Sequence, residues 1–445
     1  MKEMMVGSVA PVGPVGRWGA APPQELLERM KDYGQEGAFA LWDELSPEDR
    51  DLLVRDIESL DLSRIDRIIR RSMGSQAFLA NVVILLSTGG YLAPAEPVPE
   101  SSVSRVEERS PEDKERWWKK GLRAISEGRL AVVLLAGGQG TRLGSSDPKG
   151  CFSPRNTLPI HWYIMTSPFT DDVTRKFFES RKYFGLEADQ VTFFQQGTLP
   201  CVSDDGRFIM ETPYKVAKAP DGNGGVYAAL KSKKLLDDMS SRGVKYVDCY
   251  GVDNVLVRVA DPTFLGYFIE KGVSSAAKVV RKAYPQENVG VFVQRGRGGP
   301  LSVVEYSEMD AAMTTEINQS TGRLRYCWSN VCLHMFSLEF LNQVANSLEK
   351  DTPDIWKFGG QVLREEEFAP VKNANGSAYD TPDSAKLMLL RLHSRWVVAA
   401  GGFLTHSVPL YMTGVEVSPL SSYAGENLEA ICRGRTFHAP SEISF

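Results

Sequence analysis

The apolar positions change their period along this chain, and the change divides it. From residue 23 to about residue 75 they recur at helical spacing. PPQELLERMKDYG opens on prolines and closes on glycine. Ser46-Pro47-Glu48-Asp49 is an N-cap followed by a proline and by acids that suit the positive end of a helix. LLVRDIESL and SRIDRIIRRSM continue the pattern, so this part predicts a small helical region. Residues 92–111 are rich in Pro, Ser and Glu and read as a linker, after which DKERWWKKGLRAISEG predicts a basic helix. The run Ala131–Leu135 is apolar without alternation, the mark of a strand buried on both faces of a parallel sheet. Further strands are predicted at 160–166, 190–194, 247–252, 275–280, 290–294 and 301–306. Helical stretches such as TDDVTRKFFESRKYFG and VYAALKSKKLLDDMSSRG lie between several of them. Such alternation predicts an α/β fold with a doubly wound, mostly parallel, Rossmann-like sheet and ligands at the carboxyl ends of its strands. The expected division is a disordered leader over 1–22, a helical region and linker over 23–110, a sheet domain over 111–375 and a small C-terminal domain over 376–445.

Composition narrows the class. The chain has 445 residues, 42% apolar and 24% charged, which suits a globular protein of two or three domains. Its formal charge of −5 gives no pull toward nucleic acid or an anionic membrane, and no apolar run reaches spanning length. Neither a nucleic acid nor a membrane is expected as a partner. The six cysteines are scattered without a CxxC pair, so reduced, mostly buried thiols in a cytoplasmic protein are expected. The five histidines are equally dispersed, and His161 and His334 read as core or edge residues rather than catalytic bases.

Candidate chemistry gathers at strand ends. After Leu135 comes a turn with Gly137, Gly138, Gly140 and Gly144, carrying Arg142 and Lys149. Glycines at the end of a buried strand let backbone N–H groups approach phosphate oxygens, and a forked Arg and a long Lys can neutralise a polyphosphate. The spacing is wrong for a dinucleotide fingerprint, and Lys149 lacks the hydroxyl neighbour of a P-loop. Gln196 follows the strand VTFF, where it can read a base edge or a ribose. Gly222 and Asn223, in PDGNGG, open a helix and again permit close backbone approach. Asp253 ends the strand YVDCYGV, a natural place for a Mg²⁺ ligand. Glu305 and Asn330 are polar residues in apolar surroundings and need partners, a sugar hydroxyl or a backbone group.

The segments LAGGQGTRLGSSDPKG, FFQQGTLP, KAPDGNGGVYAAL, GVDNVLVRVADPTFLGYFI, VVEYSE, REEEFAPVKN and SPLSSYAGENLE resemble the UDP-N-acetylhexosamine pyrophosphorylases over nearly everything from residue 23 to residue 440. The resemblance implies transfer of a uridylyl group from UTP to N-acetylglucosamine 1-phosphate, with magnesium as cofactor and 111–375 as the nucleotidyltransferase domain. It also implies roles. Leu135, Ala136, Gly137, Gly138 and Gln196 would hold uracil, with Gly222 and Asn223 also against the nucleotide. Arg142 and Lys149 would lie on the triphosphate, Asp253 on Mg²⁺, Gly290, Glu305 and Asn330 on the N-acetyl sugar, and Lys372 on its phosphate. The sequence leaves room for a homodimer.

Two places are short against that family. SSDPKGCFSPRNTLP holds no helix between the glycine turn and the next strand, although a parallel crossover usually carries one. If four or five large apolar side chains on the sheet lost their cover, the loss would be roughly 6–15 kcal/mol at about 1.5–3 each. The second gap falls near DTPDIWKFGGQ, which reads as a plain loop. Three readings are therefore open: an active uridylyltransferase, a non-catalytic isoform that binds nucleotide or regulates an intact copy, and a pyrophosphorylase for another sugar such as glucose 1-phosphate.

Overall fold

A computed structural model describes residues 21–70, 95–137, 159–296, 299, 301–347, 358–406, 414–418 and 421–444. The leader expected over 1–22 lies outside them but for its last two residues. The chain divides into two units, Met1–Tyr91 with Thr198–Asp221, and Leu92–Gly197 with Gly222–Phe445.

In chain order the strands are β1 (Ala95–Pro97), β2 (Val103–Ser104), β3 (Leu130–Leu135), β4 (His161–Thr166) and β5 (Val191–Gln195). The first unit holds β6 (Thr198–Pro200), β7 (Met210–Thr212), β8 (Lys215–Val216) and β9 (Lys218–Pro220). Then come β10 (Tyr246–Gly251), β11 (Ser275–Arg281), β12 (Val291–Arg295), β13 (Leu301–Val304), β14 (Ile317–Asn318), β15 (Arg323–Leu324), β16 (Trp328–Ser337) and β17 (Phe358–Val362).

Helices Gln24–Asp32 and Pro47–Glu58 build the first unit, and Ser46 caps the second of them by accepting from Asp49 N. Their apolar faces bury Met30, Trp42, Leu53 and Ile57 together with Val216 of β8. Asp56 binds this pairing from below, accepting from Val216 N at 2.9 Å and from Lys218 Nζ at 2.5 Å. Segment 198–221, which the sequence places with the sheet domain, thus has its partners among the N-terminal helices.

The second unit is built on an 11-stranded sheet of order β2-β17-β11-β16-β10-β3-β4-β5, with β12 on β16 and β1 and β13 on β12. The pairs β10–β3, β3–β4 and β4–β5 are parallel, as are β11–β17 and β17–β2; β16 runs antiparallel to both of its neighbours. The mostly parallel α/β sheet expected from the alternation is present. Every residue of β3 is buried, and its side chains alternate between two cores. Val132 and Leu134 pack with Trp117, Ile164, Phe178, Phe264 and Phe268. Val133 and Leu135 pack with Tyr163, Met165, Val226, Leu230 and Phe336. Helices therefore cover both faces, as a parallel sheet requires.

Several expectations change here. The presumed linker over 92–111 supplies β1 and β2 to the sheet. The presumed loop DTPDIWKFGGQ supplies β17, whose glycines serve close packing. A Cβ on Gly359 would lie 3.2 Å from the Tyr267 hydroxyl, and one on Gly360 3.0 Å from Val103. Strand β16 was not expected as a strand at all. The segment 138–158 lies outside the described residues; on β4, which follows it, Trp162, Tyr163, Ile164 and Met165 are all buried. Trp162 and Phe178 rings lie 5.3 Å apart, and the Tyr163 hydroxyl donates to Asp238 at 2.6 Å. His334 is half-buried on β16 and stacked on Phe336, and desolvation pushes its pKa down to about 4, so it is a neutral packed residue, in line with the core or edge reading. Beyond 375, helix Pro382–Ala399 and two short parallel ribbons enclose their own small core around Val397, Val415, Leu428 and Cys432. Among the described residues no helix is long and apolar enough to cross a membrane.

Beneath the sheet ends lies a group of buried charges. Lys278 of β11 donates to Asp261 at 2.8 Å and to Glu367 at 3.2 Å, and Arg364 pairs with the same two carboxylates. Burial works against ionising Asp261, yet Lys278 and Arg364 overcome it and hold its carboxyl below the ordinary range. Asp248 of β10 accepts from Ala260 N at 2.6 Å, and burial pushes it up to about 6.

Two outcomes are expected. Helices Pro111–Ser126 and Pro262–Lys271 touch backbone to backbone: a Cβ on Gly121 would overlap Pro262 O, and one on Gly266 would overlap Trp117 O. Gly121→Ala should cost about 1–3 kcal/mol and lower the melting temperature by several degrees; an unchanged melt would mean that the helices do not meet there. Folded Asp248 keeps its proton up to about pH 6 and the unfolded residue only to about 3.8. Its contribution to stability therefore falls as pH rises through that window. Asp248→Asn should accordingly gain about 1–3 kcal/mol on the wild type between pH 4 and 7. Denaturant titrations across that range check this, and a flat difference would show an ordinary carboxyl.

Candidate active site

Parallel strands in register end on one edge. Gly251 of β10 stands beside Leu135, Leu135 beside Met165, and Thr166 beside Gln195. The ladder runs one step further: Ala136 N donates to Met165 O at 2.8 Å and Gln196 N to Thr166 O at 2.9 Å. Here the Gln196 side chain turns in, only 5% exposed, and its Nε2 donates to Gly222 O at 2.9 Å. A Cβ on Gly137 would overlap Gln196 Oε1, so any side chain there would push the Gln196 amide off its present position. Gly222 has a left-handed φ of 77°, and its carbonyl accepts from Gly225 N as helix Gly225–Ser232 begins. Leu135, Ala136, Gly137, Gln196, Gly222 and Asn223 are thus brought together. Gly138, Arg142 and Lys149 lie outside the described residues.

Asp253 and Lys372 arrive on different segments that pair. Val371 N donates to Asp253 O at 2.7 Å, and Val255 N to Ala369 O at 3.1 Å. Lys372 N and Asn373 N both donate to Asp380 O at 2.8 Å, closing a hairpin in which Asp380 has a φ of 54°. Asp253 is exposed at the strand tip. Among the described residues no group of three or more His, Cys, Asp or Glu is placed to hold a metal.

The residues expected to hold the sugar also converge. Asn330 N donates to Gly290 O at 2.8 Å, and a Cβ on Gly290 would stand 3.0 Å from the Glu305 carboxylate. Glu305 keeps an exposed face, yet partial desolvation, helped by Glu308, raises its carboxyl above the usual range.

Sequence reasoning missed Cys332. Its N–H donates to Asn330 Oδ1 at 3.2 Å, and its Sγ accepts from Asn223 Nδ2 at 3.3 Å. The thiol links the Gly222–Asn223 turn to β16. Its pKa is pushed up to about 11 by burial and then by the charges of Asp253 and Glu305, with Asn223 and Lys372 opposing, so it remains protonated. A φ of 55° at a cysteine carries no signature in the sequence; its place two residues after Asn330 was the only clue. Also unforeseen, the Tyr284 and Tyr379 rings meet edge to face at 6.2 Å, joining the loop before Gly290 to the hairpin after Lys372.

The family profile described as UTP–glucose-1-phosphate uridylyltransferase matches residues 152–385. UDP-N-acetylglucosamine diphosphorylases 2 and 1 of Arabidopsis thaliana are each 64% identical to this chain. Both alignments cover 96% of it, and 95% and 94% of the respective plant proteins. The alignment with the first spans 487 positions against 445 residues here, so that relative has residues with no counterpart in this chain. The crystal structure of the uridine diphosphate N-acetylglucosamine pyrophosphorylase from Trypanosoma brucei in complex with an inhibitor superposes with a TM-score of 0.70 at 28% identity. It covers 95% of this chain and 96% of the other. With this fold, these converging strand ends and these relatives, the chain belongs to the UDP-N-acetylglucosamine pyrophosphorylase family, within the wider UTP–glucose-1-phosphate uridylyltransferase family.

Proposed function

We propose that this chain transfers the uridylyl group of UTP to N-acetylglucosamine 1-phosphate, releasing pyrophosphate. The observation that carries the proposal is the link Asn223–Cys332–Asn330, which sets a nucleotide turn and a sugar-binding strand side by side across one sheet edge. Uracil rests on the Leu135–Gly137 backbone and on Gln196, and the ribose lies near Gly222 and Asn223. Gly290, Glu305 and Asn330 take the N-acetyl sugar, while Lys372 holds its phosphate. Arg142 and Lys149 lie on the triphosphate. A phosphate oxygen of the sugar attacks the α-phosphorus in line, the bond to the β-phosphate breaks, and pyrophosphate leaves. Positioning and charge neutralisation supply the rate. An exposed carboxylate at a strand tip suits Mg²⁺, which takes one or two acids and fills its shell with phosphate oxygens and water. Asp253 would hold it, and bound Mg²⁺ would add neutralising charge at the phosphates.

The longer alignment of the plant relative favours a second reading, a chain that binds UTP without turnover. Thermal unfolding with and without UTP and Mg²⁺, followed by pyrophosphate release on adding N-acetylglucosamine 1-phosphate, separates the two. Ligand-raised melting with steady turnover supports the transferase, and raised melting without turnover supports the second reading. Glucose 1-phosphate in place of the acetylated sugar tests the remaining alternative.

Asp253→Asn should lose about 10²-fold or more in kcat with its melt intact; near-normal rates would remove Asp253 from the metal role. Lys372→Ala should raise the KM of the sugar phosphate about 10–100-fold and that of UTP much less. Equal effects on both substrates would refute that assignment.

A further inference from the structure

The transferase reading needs Asp253 and Lys372 to meet neighbouring phosphates in one geometry, yet they stand on segments far apart in sequence. The residue between them is Asn254. It is 6% exposed and its amide bonds both to the second segment and within its own turn. Its Nδ2 donates to Glu367 O at 2.6 Å, and its Oδ1 accepts from Ala369 N at 2.8 Å and from Leu256 N at 3.2 Å. Asn254 and Pro370 face each other across a single antiparallel bridge. The two backbone bonds of that bridge flank them, Val371 N to Asp253 O and Val255 N to Ala369 O, so the missing N–H of Pro370 costs nothing.

Two backbone bonds in an isolated bridge open easily. The Asn254 amide adds two bonds across the same gap, and the far side is itself anchored, since the buried Glu367 carboxylate is held by Lys278 and Arg364. The anchorage thus runs from β11 through Glu367 and Asn254 to the Asp253 tip.

We propose that Asn254 is a positioning residue, a clamp that fixes the Asp253 carboxylate relative to the Lys372 ammonium. The proposal rests on the transferase reading and deepens it. In-line transfer is sensitive to misplacement of about 1 Å, which can cost roughly 10²-fold.

The test uses Asn254→Ala and Asn254→Asp in the full chain. Melting temperature, steady-state kinetics with both substrates, and amide hydrogen exchange over residues 367–373 are measured together. In the alanine variant the expected result is a retained cooperative melt, lost protection at 367–373, and kcat down about 10²-fold with a raised KM for the sugar phosphate. The aspartate keeps the acceptor for Leu256 and Ala369 but cannot donate to Glu367, so it should fall between alanine and wild type. It carries the test alone if the alanine variant fails to fold. Unchanged protection would overturn the clamp. Lost protection with unchanged kcat and KM would make it structural only and overturn the positioning role. A wild-type chain without turnover would instead remove the transferase reading, while the exchange data would still decide whether Asn254 holds the two segments together.

Discussion

Strand β3 is buried on both faces and paired in parallel on both edges, to β10 and to β4. That leaves the chain little freedom there. A slip of one residue against either neighbour would turn Val132 and Leu134 toward the core meant for Val133 and Leu135. The register therefore also fixes where the strands stop. Because β5, β4, β3 and β10 run the same way and stop on one row, the backbone beyond each of them enters the same space. Gly137 and Gln196 meet for that reason, Asp253 follows β10 onto the same edge, and each would be an ordinary loop residue elsewhere.

The antiparallel strand β16 completes the arrangement. Inserted between β10 and β11, it runs opposite to both, so its first half lies where their last residues lie. Asn330 and Cys332 are thereby delivered to an edge that parallel strands alone furnish with only their C-terminal loops. Gly290, just before β12, joins them through its carbonyl. The grouping of Gly290, Asn330 and Cys332 is thus a consequence of one reversed strand.

Buried charge ties the edge to the core. Lys278, Asp261, Glu367 and Arg364 are each costly to bury, and the cost is offset only because each has more than one opposite partner. Asp261 also caps helix Pro262–Lys271, and Glu367 lies on the segment that leads to Lys372. Removing any one of these groups would take a partner from two buried charges of the opposite sign. The site hairpin is consequently anchored to β11 rather than resting on a flexible loop.

The sequence alone determined whatever depends on neighbours along the chain. The unbroken run Ala131–Leu135, the Ser46 cap, the glycine turn at 222, and the acid just past β10 are local signals, and each is found where the pattern placed it. The tertiary structure alone decided what depends on distant partners. FGGQV reads as a loop until Tyr267 and Val103 come close enough to require its glycines. The linker becomes two edge strands only when β12 and β17 offer free backbone to pair with. Segment 198–221 finds its core among the N-terminal helices, and Cys332 matters only because Asn223 is beside it. Local propensity fixes the conformation of a few residues; which segment pairs with which follows from burial and hydrogen bonding summed over the whole chain.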